Sequence, residues 1–528
     1  MISGIEFEGT QLFSNPLTGL FACVIFGWIF GFISGLVPGI HVNNFAILLG
    51  STAPVLYTFG LSPITVSTII LACAVSHTFH NIIPAIFLGA PGEDTALLVL
   101  PGHRLLLDGK GPNAVRLSAM GSAGAILLSP VIMIPMAVFF YFAYPHLHPY
   151  MGFILLLITV LMVATEKGTE KKAAAFFVFL AAGLLGYFAF GLEDGIQSPL
   201  AFFSATQASV LMPLLSGLFG ASQMIVSFLT ESAIPDTKKS VETFPKIKFI
   251  KGILSGTITG AFVAWIPGVS SSVAAIISGF FIGRKKREEE NEADDEKNQT
   301  GDEKNQTDDE KNQTDDEKNQ TGDEKNQTDD EKNQTDDEKN QADDEKNQTD
   351  DEINFKNNKY IESKEEEENN AKEFIVTISA ISTANALFGL LAYFIIGKTR
   401  SGAVVSIRQI LNDAGMAIDS NVLAAGNLEL FFLFYLTILL TGFLSYFSTI
   451  CAGNRATDIL KNINYQKISI SVLIFLLVLV AVMTRFYGCV IFAAATLVGF
   501  LPIVLKVKKT NLMGVILFPV MLYFFGWG

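Results

Sequence analysis

The sequence predicts an all-α polytopic membrane protein of about 12–14 helices, arranged as two inverted structural repeats with Pro-Gly-broken segments. Three observations predict it. Half of the 528 residues are hydrophobic, 44 of them Phe, more apolar surface than a soluble chain can cover. Runs such as Leu128–Tyr144 and Ile470–Thr484 hold no charge and show no period-two alternation, which in lipid leaves helices as the way to satisfy the backbone. Finally, Pro38-Gly39 and Pro267-Gly268 interrupt apolar segments at equivalent places.

In chain order, apolar segments fall at 18–37, 41–61, 63–89, 117–142, 149–165, 173–191 and 203–230, then at 250–266, 269–283, 373–397, 428–450, 468–484, 487–504 and 511–526. The N-terminus is acidic (Glu6, Glu8) and the first basic residue is Arg104, so no cleaved leader is expected. The clusters Arg104/Lys110/Arg116, Lys167/Lys171/Lys172, Lys238–Lys251, Arg284–Arg287, Arg455–Lys467 and Lys506–Lys509 can all be cytoplasmic under one assignment. It puts both termini outside, with seven crossings per half. Lys398, Arg400 and Arg408 are the exception, in a loop expected to be external.

The net charge of −14 hides two populations. Residues 288–371 hold 34 Asp/Glu against 11 Lys, a net of −23, whereas the rest holds 26 Lys/Arg against 17 Asp/Glu, a net of +9. Basic loops on such a body report orientation, not nucleic-acid binding. The acidic stretch repeats Asp-Asp-Glu-Lys-Asn-Gln-Thr, a heptad with no apolar position to form a seam. It reads as a disordered cytoplasmic insertion. The expected divisions are therefore 1–235, a first membrane repeat; 236–287, the broken hairpin opening the second; 288–371, the insertion; and 372–528, the remainder of the second.

Aligning Pro38 with Pro267 carries the repeat. Gly27 then falls on Gly256, Gly31 on Gly260, Gly39 on Gly268, Ala46 on Ala275 and Gly50 on Gly279, without a gap. Ser76–Ala96 matches Ser382–Ala403 more loosely, with a one-residue shift. A broken helix frees N–H groups that attract anions and carbonyls that can ligate Na⁺. Such a break must face protein or a watery cavity. Polar residues follow both: His41, Asn43 and Asn44 after the first, Ser270, Ser271 and Ser272 after the second. Pro38, Gly39, Pro267, Gly268 and these six residues are the expected substrate site, flanked by Asn81 and Asn385. A tight extramembrane turn is the competing explanation of each Pro-Gly pair.

Ionisable residues inside apolar segments are costly and point to function. His77 and His80 are candidates for ion or proton coupling, with a structural hydrogen-bonded pair as the alternative. Glu93 and Asp94, in the broken element Gly89–Ala96, are the acidic candidates, a solvated turn being equally consistent. No metal site is expected, because no carboxylate or Cys stands at ligand spacing beside the histidines. Cys23, Cys73, Cys451 and Cys489 are scattered, with no CxxC pair. No phosphate-binding loop or Ser-His-Asp set appears, so neither ATP-driven transport nor hydrolase chemistry has support, and no cofactor is expected beyond a coupling Na⁺ or H⁺.

The stretches Gly35-Leu36-Val37-Pro38-Gly39, Gly89–Ala96, Leu100–Gly111 (LPGHRLLLDGKG) and Ile266-Pro267-Gly268 resemble the TctA family, the large membrane subunit of tripartite tricarboxylate transporters, and its archaeal relatives. The resemblance spans both halves outside the insertion. It implies ion-driven secondary uptake of carboxylates with a small membrane subunit and an extracytoplasmic binding protein as partners. At His41-Val42-Asn43-Asn44 the chain departs from the small apolar residues usual in the family. The expected function is an ion-coupled permease for a small organic anion in the cell membrane, in contact with lipid. An enzyme acting on a lipid-linked substrate, or a scaffold using the acidic insertion, are the other classes.

Overall fold

A computed structural model describes residues 16–89, 94–193, 210–229, 244–279, 364–416, 418, 425–461 and 465–527. Glu93 and most of the acidic insertion lie outside these residues. The chain forms two units, one of Met1–Ser278 with Ala371–Gly528 and one of Gly279–Asn370. The helices that build the cavity belong to the first.

The first half opens with α1 (Pro16–Leu36), α2 (Val42–Ser51), α3 (Ala53–Thr58), α4 (Pro63–His80) and α5 (Ile82–Phe87). It continues with α6 (Val99–Leu107), α7 (Gly111–Leu147), α8 (Met151–Ala164), α9 (Thr169–Gly191) and α10 (Leu211–Leu229). The second half supplies α11 (Lys246–Val263), α12 (271–279), α13 (Lys364–Ile396), α14 (Gly402–Asp413), α15 (Ala425–Lys461), α16 (Tyr465–Leu505) and α17 (Lys509–Phe524). Among the described residues there is no strand.

Eight described spans are long and apolar enough to cross a membrane. Two of them contain a turn. The span 111–164 bends at His148–Tyr150, and α16 changes direction at Arg485, whose φ of 53° is not helical. Both turns fall where the apolar runs were expected to divide. The run 41–61 differs from expectation, because Thr52 separates α2 from α3 and neither piece reaches the roughly 20 residues that a crossing needs. Leu127, Val131, Ile134 and Phe142 on α7 are largely exposed, an outward apolar surface suited to lipid.

Small residues set how closely the helices approach. A Cβ on Gly31 would come within 2.3 Å of the Cys73 carbonyl, and one on Gly260 within 2.6 Å of the Ile381 carbonyl. Gly31 thus seats α1 on α4, and Gly260 seats α11 on α13, the close approach that small residues allow between membrane helices. These are matched positions in the sequence repeat, and Gly27 and Gly256 repeat the pattern one turn earlier. The two Pro-Gly pairs also share a backbone shape, Gly39 at φ 83° and Gly268 at φ 76°, a region that glycine enters without strain.

Candidate functional site

Each break is fixed by local chemistry. After the first, His41 caps α2: its Nδ1 accepts the Asn43 N–H at 3.1 Å. Ser216 Oγ donates to the Gly39 carbonyl at 2.9 Å. That serine opens a π-turn, Ser216–Ala221, inside α10, a local irregularity that recurs at functional sites. After the second break, the Ser270 carbonyl accepts the Ala274 N–H at 2.9 Å, starting α12.

The two breaks meet at a cavity of about 890 Å³, within the range of small-molecule sites. Of the expected residues, Asn43, Gly268, Ser270, Asn385 and Asp94 line it. Pro38, Gly39, His41, His77 and Asn81 line a second crevice of about 20 Å³, which Asp94 also borders. Pro267, Ser271, Ser272, Asn44 and His80 line neither space. The Asn44 amide and the Ser272 hydroxyl are buried without hydrogen-bond partners among the described residues. Glu93 lies outside the described residues.

Contacts across the cavity join the halves. Asn43 Oδ1 accepts the Gly402 N–H at 2.8 Å, tying the start of α14 to the first break. Asp94 Oδ1 accepts the Ser271 N–H at 3.0 Å, and Oδ2 lies 3.8 Å from His41 Nε2. One carboxylate therefore stands between both breaks.

The histidines of α4 differ. His80 has both nitrogens engaged, Nδ1 by the Ser76 carbonyl at 2.7 Å and Nε2 by Ser448 Oγ at 2.8 Å. Ser448 also accepts from Trp28 Nε1, so His80 pins α1, α4 and α15 together. His77 bonds Ser34 through Nδ1 at 2.9 Å and borders the small crevice.

Arg400 was expected in an external loop. Its side chain turns inward to the cavity wall, where Nη1 donates to the Val263 carbonyl and Nη2 to the Val269 carbonyl at 2.6 Å. A longer bond of 3.3 Å reaches Asn385 Oδ1. The guanidinium bridges the end of α11 to the chain beyond Pro267-Gly268. Its departure from the pattern of cytoplasmic basic residues was the available signal. Glu193 and Asp413 also line the cavity, and no sequence signal distinguished them from other loop acids.

Among the described residues the charged lining is thus Asp94, Glu193 and Asp413 against Arg400. Asn43, Ser270 and Asn385 add neutral donors and acceptors able to orient a small polar ligand. Among the described residues no three His, Cys, Asp or Glu side chains converge as they would around a metal.

The family model described as the tripartite tricarboxylate transporter TctA family matches residues 21–304 and 354–514. An uncharacterized protein of Methanocaldococcus jannaschii is 23% identical over 507 residues, covering 95% of this chain and 98% of that relative. No solved structure matches. Helices that can cross a membrane several times, a polar cavity between two broken segments and a family match over most of the chain agree: this is a multi-pass membrane protein of the TctA family.

Proposed function

We propose that the protein is an ion-coupled secondary transporter for a small organic anion such as a carboxylate, acting in the cell membrane. The observation that carries this reading is the convergence of residues from both Pro-Gly breaks, with Arg400 and Asp94, on one cavity. Arg400 is the cationic group that an anion would approach, and Asn43, Ser270 and Asn385 offer it hydrogen bonds. Among the described residues, three carboxylates against one guanidinium give the cavity lining excess negative charge. An anion entering alone would meet that charge in a poorly screened space, so its binding is favourable when Na⁺ or H⁺ accompanies it. Charge balance is the physical origin of the coupling.

The matched packing of Gly31 and Gly260 supports two repeats, 1–235 and 236–287 with 372–528, divided by the insertion at 288–371. Seven crossings per half would invert one relative to the other. The basic clusters support a cytoplasmic insertion and external termini. Family membership supports a small membrane subunit and an extracytoplasmic binding protein as partners.

Counterflow of radiolabelled mono-, di- and tricarboxylates into proteoliposomes tests the site. Asn43→Ala combined with Ser270→Ala should slow counterflow at least about tenfold, the loss of one or two ligand hydrogen bonds. A double variant that transports every substrate at the wild-type rate removes this site from the reading.

A further inference from the structure

We infer that Asp94 is where the coupling proton binds, and that its negative charge latches the two broken segments together. The inference rests on the transport reading above. It begins with the tautomer of His41. Nδ1 accepts the Asn43 N–H, so the neutral ring carries its proton on Nε2, the atom 3.8 Å from Asp94 Oδ2. Asp94 Oδ1 meanwhile accepts the Ser271 N–H at the first turn of α12. One carboxylate therefore faces N–H groups from both breaks, each at a helix start where negative charge is favoured.

Protonation weakens the Ser271 hydrogen bond and the attraction of the carboxylate for the His41 Nε2–H dipole, which at 3.8 Å is too long for a hydrogen bond. A proton arriving through the cavity, which Asp94 lines, forms one O–H bond on the carboxyl and cancels the charge that held His41 and Ser271; it leaves by the reverse step. His41 is a poor substitute as the proton site. Protonating Nδ1 would oppose it to the Asn43 N–H and strip the cap from α2. Among the described residues, His77 of α4 borders the crevice with Asp94, and Arg400, Glu193 and Asp413 line the cavity that Asp94 also borders. His80, one turn from His77, has both nitrogens committed. Na⁺ fits this place less well, because Ser271 and His41 present N–H groups to the carboxylate where Na⁺ would need oxygen ligands. If the charged form holds the breaks together, linkage requires the separated arrangement to bind the proton more tightly, so protonation and rearrangement drive one another.

Infrared difference spectra of the reconstituted full chain, perfused from about pH 8 to about pH 4 in choline chloride, read this site directly. The expected result is a protonated-carboxyl band that Asp94→Asn abolishes and that Na⁺ in place of choline leaves unchanged. Ser271→Pro deletes the N–H on Oδ1 at a helix position that accepts proline, and should raise the midpoint of that band by about one pH unit. Asp94→Glu, which keeps the carboxyl, should move the band and preserves the test if the Asn variant does not fold. The inference is overturned if Asp94→Asn leaves every carboxyl band in place, if Na⁺ displaces the band, or if Ser271→Pro leaves its midpoint unmoved. These spectra need no substrate, so such failures leave the transport reading standing. Absent counterflow beside an intact Asp94 band would count against transport alone.

Discussion

Arg400→Met keeps most of the side chain's volume and removes the donors that span the second break. In the native protein Nη1 reaches the Val263 carbonyl at 2.5 Å and Nη2 the Val269 carbonyl at 2.6 Å, while the bond to Asn385 is longer, at 3.3 Å. Hydrogen bonds from a charged donor contribute about 1.5–3 kcal/mol each. Arg400 is partly exposed to the cavity, so the lower figure applies, and the two short bonds together stabilise the break by about 3 kcal/mol. That corresponds to roughly a hundredfold change in the equilibrium between the bridged and released break. Trp265 reports it, being buried at this break with ring contacts to Phe139, Tyr144 and Phe262. Arg400→Met should lower the thermal midpoint in detergent and shift the Trp265 emission to the red, read in a chain where Trp28 and Trp527 are replaced by Phe. Arg400→Lys should fall between, because an ammonium lacks the fork that meets two carbonyls at once. Unchanged stability and unshifted emission in Arg400→Met would refute the bridge.

Three further outcomes follow. Gly31→Ala and Gly260→Ala should each destabilise by about 1–3 kcal/mol through backbone overpacking, measured as a lower thermal midpoint, whereas Gly191→Ala, with open space around its Cβ, should not. Burial pushes the Lys508 ammonium below its ordinary 10.5 even though Glu166 opposes the shift. The folded state therefore sheds that proton before the unfolded state does, so stability should rise with pH between the lowered value and 10.5, and Lys508→Met should flatten the rise in alkaline thermal denaturation. Deleting residues 288–363 should leave counterflow at the wild-type rate, since described residues outside that stretch supply polar lining from both breaks; lost transport in a well-folded deletion variant would give the insertion a direct role.

Membrane helices and the turns between them were legible because lipid imposes a length and a polarity that composition alone reveals. The turn at Arg485 and the one at His148–Tyr150 both interrupt apolar runs with polar residues. The close helix contacts at Gly31 and Gly260 left a mark in the sequence too, since each needs a position without a side chain. Asn43, Ser270, Asn385 and Asp94 stood out as polar groups in apolar surroundings, and they share the cavity. The division between the cavity and the smaller crevice could not be read, because it depends on which way each side chain leaves the backbone: His41 and Asn43, two residues apart, border different spaces. The contacts of Arg400 were hidden for a related reason. A basic residue beyond a helix end reads as solvated unless the chain is known to fold back, and here the carbonyls of Val263 and Val269, far away in sequence, receive it.

If the cavity moves an organic anion across a membrane together with a cation, transport requires a sealed compartment. Counterflow of labelled carboxylates, compared between sealed proteoliposomes and the same vesicles made permeable, tests it most directly. At least one carboxylate should accumulate in sealed vesicles only, dependent on Na⁺ or H⁺ and abolished by Arg400→Met. No counterflow of any organic anion by well-folded protein, alone or with a small membrane subunit and a binding protein added, would contradict transport by this cavity.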